Sequence, residues 1–151
     1  MSEHTIELTW LKNATEFEYD KYDRTHKIQF NGGQSINSSA TKEFFGDDAH
    51  ANPEELIASS LASCHMLTFL AIASKKKLIV EKYEDNPIAV LDKGSSGRLQ
   101  ITKITLKPKT KFAEGTSMDT ETLKKLHESA HRNCFIGSSI TSEVSIEPVI
   151  G

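Results

Sequence analysis

The pattern of apolar residues predicts an α+β fold. Three observations carry it: period-2 alternation in the first third, one long apolar helical run with a marked start, and further alternating segments around a second, amphipathic helix. The expected order is βββ-α-βββ-α-β, within a single domain spanning residues 1–151.

Residues 5–10 (TIELTW) alternate apolar and polar side chains and read as a strand. Residues 17–19 and 27–30 read as the arms of a hairpin around a charged loop, 20–24. Asn31-Gly32-Gly33 is a turn signal, and 34–39 continues the sheet. Residues 44–51 form a loop. Asn52 then makes a good N-cap, Pro53 suits the first helical position, and Glu55 stands three residues after the cap. Lys75, Lys76 and Lys77 close the helix, where its dipole favours cations. Strands are expected at 78–83, 88–91 and 99–106, the last two joined by the turn at 94–97. A second helix is expected over 117–132, with Leu123, Leu126 and Ala130 on one face. The final strand is placed at 141–149, with Pro148 marking an edge or strand end.

Composition excludes several classes. The 151 residues carry 18 Lys plus Arg against 21 Asp plus Glu, a net charge of -3. A dedicated nucleic-acid binder carries a basic excess, and three consecutive lysines without aromatics do not make such a surface. No basic n-region and apolar h-region stand at the N-terminus, so a cytoplasmic location is expected. Residues 56–73 hold no Asp, Glu, Lys or Arg, but six of the 18 are Ser, Cys, His or Thr. A membrane span takes about 20 mostly apolar residues, so this run reads as a helix buried within protein and no membrane partner is expected. A helix apolar around most of its circumference must be covered on most sides. A chain of this size has one modest core. The expectation is a homodimer with this helix at its centre, the alternative being cover by the chain's own second helix.

Cys64 lies inside that run. Inert packing is the ordinary fate of one buried cysteine. Cys134 follows Leu123 by 11 residues, a spacing that returns to the same helix face. Both cysteines are therefore candidates for one buried layer, although a spacing of 70 residues does not establish that they pair. His127, His131 and Cys134 stand at i, i+4 and i+7 and, with Cys64 or His65, make an alternative four-ligand metal set of unfamiliar spacing.

The segment from Asn52-Pro53-Glu54-Glu55-Leu56 to Cys64 resembles the N-P-E-x-L…C motif of the OsmC/Ohr family, the osmotically inducible and organic hydroperoxide resistance proteins. Ala130-His131-Arg132-Asn133-Cys134 is similar to the family's second cysteine motif. The resemblance implies an intertwined homodimer and a cysteine-based peroxidase with no cofactor or resident metal. It implies that Cys64 is the peroxidatic cysteine, Cys134 the resolving cysteine, Glu54 the motif glutamate and Arg24 the active-site arginine. It also implies an external dithiol, a lipoyl group among them, as reductant; the apolar residues near Cys64, such as Met66, Leu67 and Phe69, favour organic hydroperoxides as substrate, with hydrogen peroxide as the alternative. One departure stands out: Phe135 follows the second cysteine, where the hydroperoxide-resistance branch often has proline.

The chemistry fits these residue types. Only a few per cent of an ordinary thiol is thiolate at pH 7, and burial lowers that fraction. A guanidinium at Arg24 would stabilise the thiolate and the charge growing on peroxide oxygens, with Glu54 orienting it. Ordinary helix capping is the simpler role for Glu54, and a solvated loop charge for Arg24. Ten residues of helix separate Glu54 from Cys64, about 15 Å. Either the helix breaks between them or Glu54 serves the partner chain's cysteine. A ligand-binding or oxidation-sensing protein without turnover is the competing functional class.

Overall fold

The computed structural model describes residues 1–13 and 15–151. The chain forms two compact units, Met1–Leu56 and Ile57–Gly151.

The first unit is a three-stranded antiparallel meander of β1 (Ile6–Thr9), β2 (His26–Phe30) and β3 (Ser35–Ser38). Ile6 pairs with Phe30 and Ile28 with Ile36. Residues 17–19 are not a strand, which corrects the expected hairpin. Their side chains and backbone are committed to a folded loop instead. Trp10, Phe17 and Tyr22 pack on one another at ring separations of 5.1–6.1 Å, and the Glu18 carbonyl accepts from the Lys21 and Tyr22 N–H groups. Trp10 Nε1 donates to the Asp23 carbonyl at 2.7 Å, which fixes that loop to the end of β1. Beyond β3 a 3₁₀ turn (Lys42–Phe44) leads to Gly46, where a Cβ would lie 1.7 Å from the Ala40 carbonyl oxygen. Only glycine fits there.

Helix α1 (Pro53–Lys75) starts in a capping box. The Asn52 side chain accepts from the Glu55 N–H at 2.8 Å, and the Glu55 carboxylate accepts from the Asn52 N–H at 3.1 Å. Its last turn closes with the Leu78 N–H on the Ala73 carbonyl and the Lys77 N–H on the Ser74 carbonyl, with Lys77 in the left-handed region at φ 59°. That closure delays the next strand to Val80.

The second unit holds two three-stranded sheets and α2 (Thr120–Arg132). One sheet pairs β4 (Val80–Glu84), β7 (Lys109–Phe112) and β9 (Val149–Ile150); the other pairs β5 (Ile88–Lys93), β6 (Leu99–Leu106) and β8 (Glu143–Ile146). β7 was not foreseen, because its sequence, KTKF, shows no apolar alternation; yet Thr110 is fully buried. The expected last strand is divided by Pro148, which has no N–H to give a ladder. Its first part runs parallel to β6 and its second parallel to β7. α2 begins later than expected because Asp119 is its cap, accepting from the Thr122 N–H at 2.6 Å.

Two apolar clusters fill the second unit. Phe69 and Ala73 of α1 meet Leu123, Leu126 and Ala130 of α2; Leu61 meets Ile104, Leu106 and Cys134. The buried α1 positions are Ala58, Leu61, His65, Phe69 and Ala73, a single stripe. Both helix assignments and the α+β class agree with the sequence reading.

A paired-thiol candidate site

Cys64 projects from the fourth turn of α1, half-buried, and Cys134 lies just past the end of α2 at 1% exposure. Both are free thiols, and they hydrogen-bond to each other. Beyond Cys134 the chain folds into a tight turn, with the Ser138 N–H on the Cys134 carbonyl and a short 3₁₀ segment at Gly137–Ser139. The turn aims backbone N–H groups at sulfur. Those of Ile136 and Phe135 reach Cys64, and that of Gly137 reaches Cys134 Sγ at 3.3 Å.

The two thiols are driven in opposite directions. Burial works against the charged form of Cys64, but hydrogen bonds from Cys134 and the Ile136 and Phe135 N–H groups outweigh it; the Thr68 hydroxyl donates to the Cys64 carbonyl at 2.8 Å. Its pKa falls below the ordinary thiol value. Burial, and then the hydrogen bond given to Cys64, push Cys134 up to about 11. Of the two thiols Cys64 is therefore the more acidic and the candidate nucleophile, while Cys134 keeps its proton to higher pH.

Of the four residues singled out from sequence, Cys64 and Cys134 come together. Arg24 and Glu54 belong to the first unit, and no ion pair joins them among the described residues. Arg24 gives its guanidinium N–H groups to the carbonyls of Tyr22, at 2.8 Å, and of Tyr19. It lies 4.0 Å above the Tyr22 ring and within 5.5 Å of Tyr19 and Phe45. It thus lines a cleft of about 350 Å³ with Leu8, Trp10, Phe17, Tyr22 and His26. Glu54 sits in the first turn of α1. The helix is unbroken from Pro53 to Lys75, which removes the expected alternative of a break before Cys64.

The alternative metal set does not converge. His127 Nδ1 is engaged by His65 Nε2 at 2.9 Å. No group of three or more His, Cys, Asp or Glu among the described residues is arranged to hold an ion. Sequence reasoning also missed the amide donors to Cys64, since a backbone N–H has no letter of its own. The one signal for them was Gly137-Ser138-Ser139 a few residues after a helix end.

The model of the family described as OsmC-like protein matches residues 46–149. The chain belongs to this family. An OsmC-like protein of unknown function from Vibrio cholerae is similar along 99% of this chain and 100% of its own, at 38% identity and a TM-score of 0.93. An organic hydroperoxide resistance protein from Legionella pneumophila (16% identity, TM-score 0.67) covers 100% of this chain and 99% of its own. Another, from Bacillus subtilis (18% identity, TM-score 0.62), covers 97% and 98%. These two share the fold. No curated protein matches the sequence. Within the OsmC-like fold, Phe135 gains a local meaning: it supplies an N–H to Cys64 that a proline there would lack.

Proposed function

We propose that this OsmC-like protein is a cysteine-based thiol peroxidase acting on organic hydroperoxides. The observation that carries the reading is the pair of hydrogen-bonded thiols with opposed acidities, Cys64 favoured as thiolate and Cys134 held protonated. The Cys64 thiolate attacks the terminal peroxide oxygen; the O–O bond breaks, and the alkoxide leaves and takes a proton to become an alcohol. Cys64 is then a sulfenic acid, oxidised by two electrons. The Cys134 sulfur attacks Cys64 sulfur, and its proton leaves with the hydroxide as water. An external dithiol reduces the disulfide by two exchanges and is itself oxidised to a disulfide. Family resemblance suggests a lipoyl dithiol, and the setting proposed from the sequence is cytoplasmic.

A homodimer belongs to this proposal. Leu67 on α1 is 61% exposed, and Leu8, Phe17 and Phe45 of the first unit are at least half exposed. A second copy is the natural cover for such apolar surface. In that assembly Arg24 and Glu54 of one protomer would serve the thiolate of the other; the unbroken helix between Glu54 and Cys64, which keeps Glu54 from its own chain's thiol, supports this for Glu54.

The deciding experiment is thiol titration and intact mass of the reduced protein before and after one equivalent of cumene hydroperoxide. Loss of both thiols with the mass of two hydrogens supports the peroxidase. Two unreacted thiols overturn it. The aromatic cleft around Arg24 favours a second reading, a ligand-binding or oxidation-sensing protein without fast turnover. Ligand affinity that survives Cys64→Ser would mark that function.

A further inference from the structure

Two histidines with no part in the peroxidase cycle lie beside its thiols. His65 follows Cys64 on α1, and His127 stands on α2 seven residues before Cys134. They are 0% and 1% exposed. His65 Nε2 and His127 Nδ1 are hydrogen-bonded across the two helices at 2.9 Å, with rings within 10° of parallel. Phe69, one turn after His65, stacks on His127 at 4.3 Å.

This is a costly way to fill a core. His65 Nδ1 and His127 Nε2 have no hydrogen-bond partner among the described residues, and burying such atoms disfavours folding. Two hydrocarbon side chains would fill the space without that penalty. What hydrocarbons lack is direction. Apolar surfaces slide past each other at little cost, whereas a hydrogen bond weakens steeply with distance and angle. The thiol contact next door has the same directional need. Cys64 is the immediate neighbour of His65, so any slip of α1 that moves one moves the other. His127 and Cys134 are two helical turns apart, within about 20° of the same face.

We infer that the His65–His127 hydrogen bond is the pin that sets α1 in register with α2, holding the Cys64 sulfur against Cys134 and the N–H groups of Phe135 and Ile136. Both histidines are positioning residues. Their catalytic purpose rests on the peroxidase reading, but the pin is measurable without a peroxide.

His127→Phe keeps a flat ring and deletes the hydrogen bond; His127→Asn returns an amide near the Nδ1 position. The readouts are the thiolate titration of Cys64 by absorbance at about 240 nm and the dithiol–disulfide equilibrium in a glutathione redox buffer, with Tm alongside. The expected result for His127→Phe is a raised Cys64 pKa and a disulfide constant lowered about tenfold, at an equal or higher Tm. His127→Asn restores both thiol readouts. A phenylalanine variant with both within about twofold of the parent, or an asparagine variant that restores neither, overturns the pin. Should His127→Phe not fold, His65→Gln, which keeps a nitrogen near the Nε2 position, takes its place: parental thiol values are expected, and a shift in either overturns the inference. Peroxide turnover measured in parallel separates the two readings. A working pin without turnover sinks the function alone; turnover with thiols indifferent to His127→Phe sinks the pin alone.

Discussion

Cys64 owes its acidity to geometry at the scale of a few atoms. Two of its donors are main-chain N–H groups held by the turn after Cys134, which the Ser138 and Ser139 hydroxyls tie to the Phe135 carbonyl. Phe135→Pro deletes one donor while leaving both thiols, so the Cys64 pKa should rise, whereas Phe135→Ala should leave it unchanged. Thiolate absorbance against pH checks both. Cys134→Ser removes the resolving thiol; Cys64 should still react once with a hydroperoxide but then proceed to sulfinic acid, seen as a mass gain of two oxygens, with turnover lost. Cys64→Ser should abolish the first step. The cysteines were legible because the chain names them in recognisable contexts. Nothing in the letters Phe135 and Ile136 announces a donor. Arg24 was legible as a charge, but not its seat between the carbonyls of Tyr19 and Tyr22 above an aromatic ring.

Among the elements, α1 was the most legible, because a capping box marks its start and three lysines its end. Residues 17–19 misled because aromatic side chains suit a strand and a packed loop equally well, and the contacts with Trp10 decide between them. β7 was hidden because lysines occupy its exposed positions and only Thr110 and Phe112 turn inward. The link between α1 and α2 carries a pH dependence. Burial first, then the neighbouring imidazoles, hold His65 at about 4 and His127 at about 3, against an ordinary 6.5. The unfolded chain therefore takes up these protons before the folded one. Their contribution is full above pH 6.5 and is lost as pH falls toward 4 and 3. Each costs up to about 1.4 kcal/mol per pH unit in that window. Urea melts at neutral pH and at successively lower pH should show stability falling on the acid side of that window; a flat profile would count against buried neutral imidazoles.

For the molecule as a whole, the exposed apolar residues predict a sedimenting species of twice 16.8 kDa, and Leu67→Glu should shift it toward the monomer. Oxidation should also be visible globally. A Cys64–Cys134 disulfide closes a loop of 70 residues, worth about 4 kcal/mol in the chain-entropy picture, so calorimetry should give a higher Tm for the oxidised form. The strand divided at Pro148 bears on how that site comes into being. β6 and β7 are parted by Lys107 and Pro108, and β8 and β9 by Glu147 and Pro148. The two bent strands run side by side, with the Glu147 N–H on the Leu106 carbonyl and the Val149 N–H on the Pro108 carbonyl, both at 2.9 Å. Both sheets are therefore completed by closing one loop, and its entropy is lost once rather than twice. That loop carries α2 and Cys134. The amides that face the thiols should then exchange with solvent only when both sheets open together, which ties the lifetime of the redox pair to that of the whole unit.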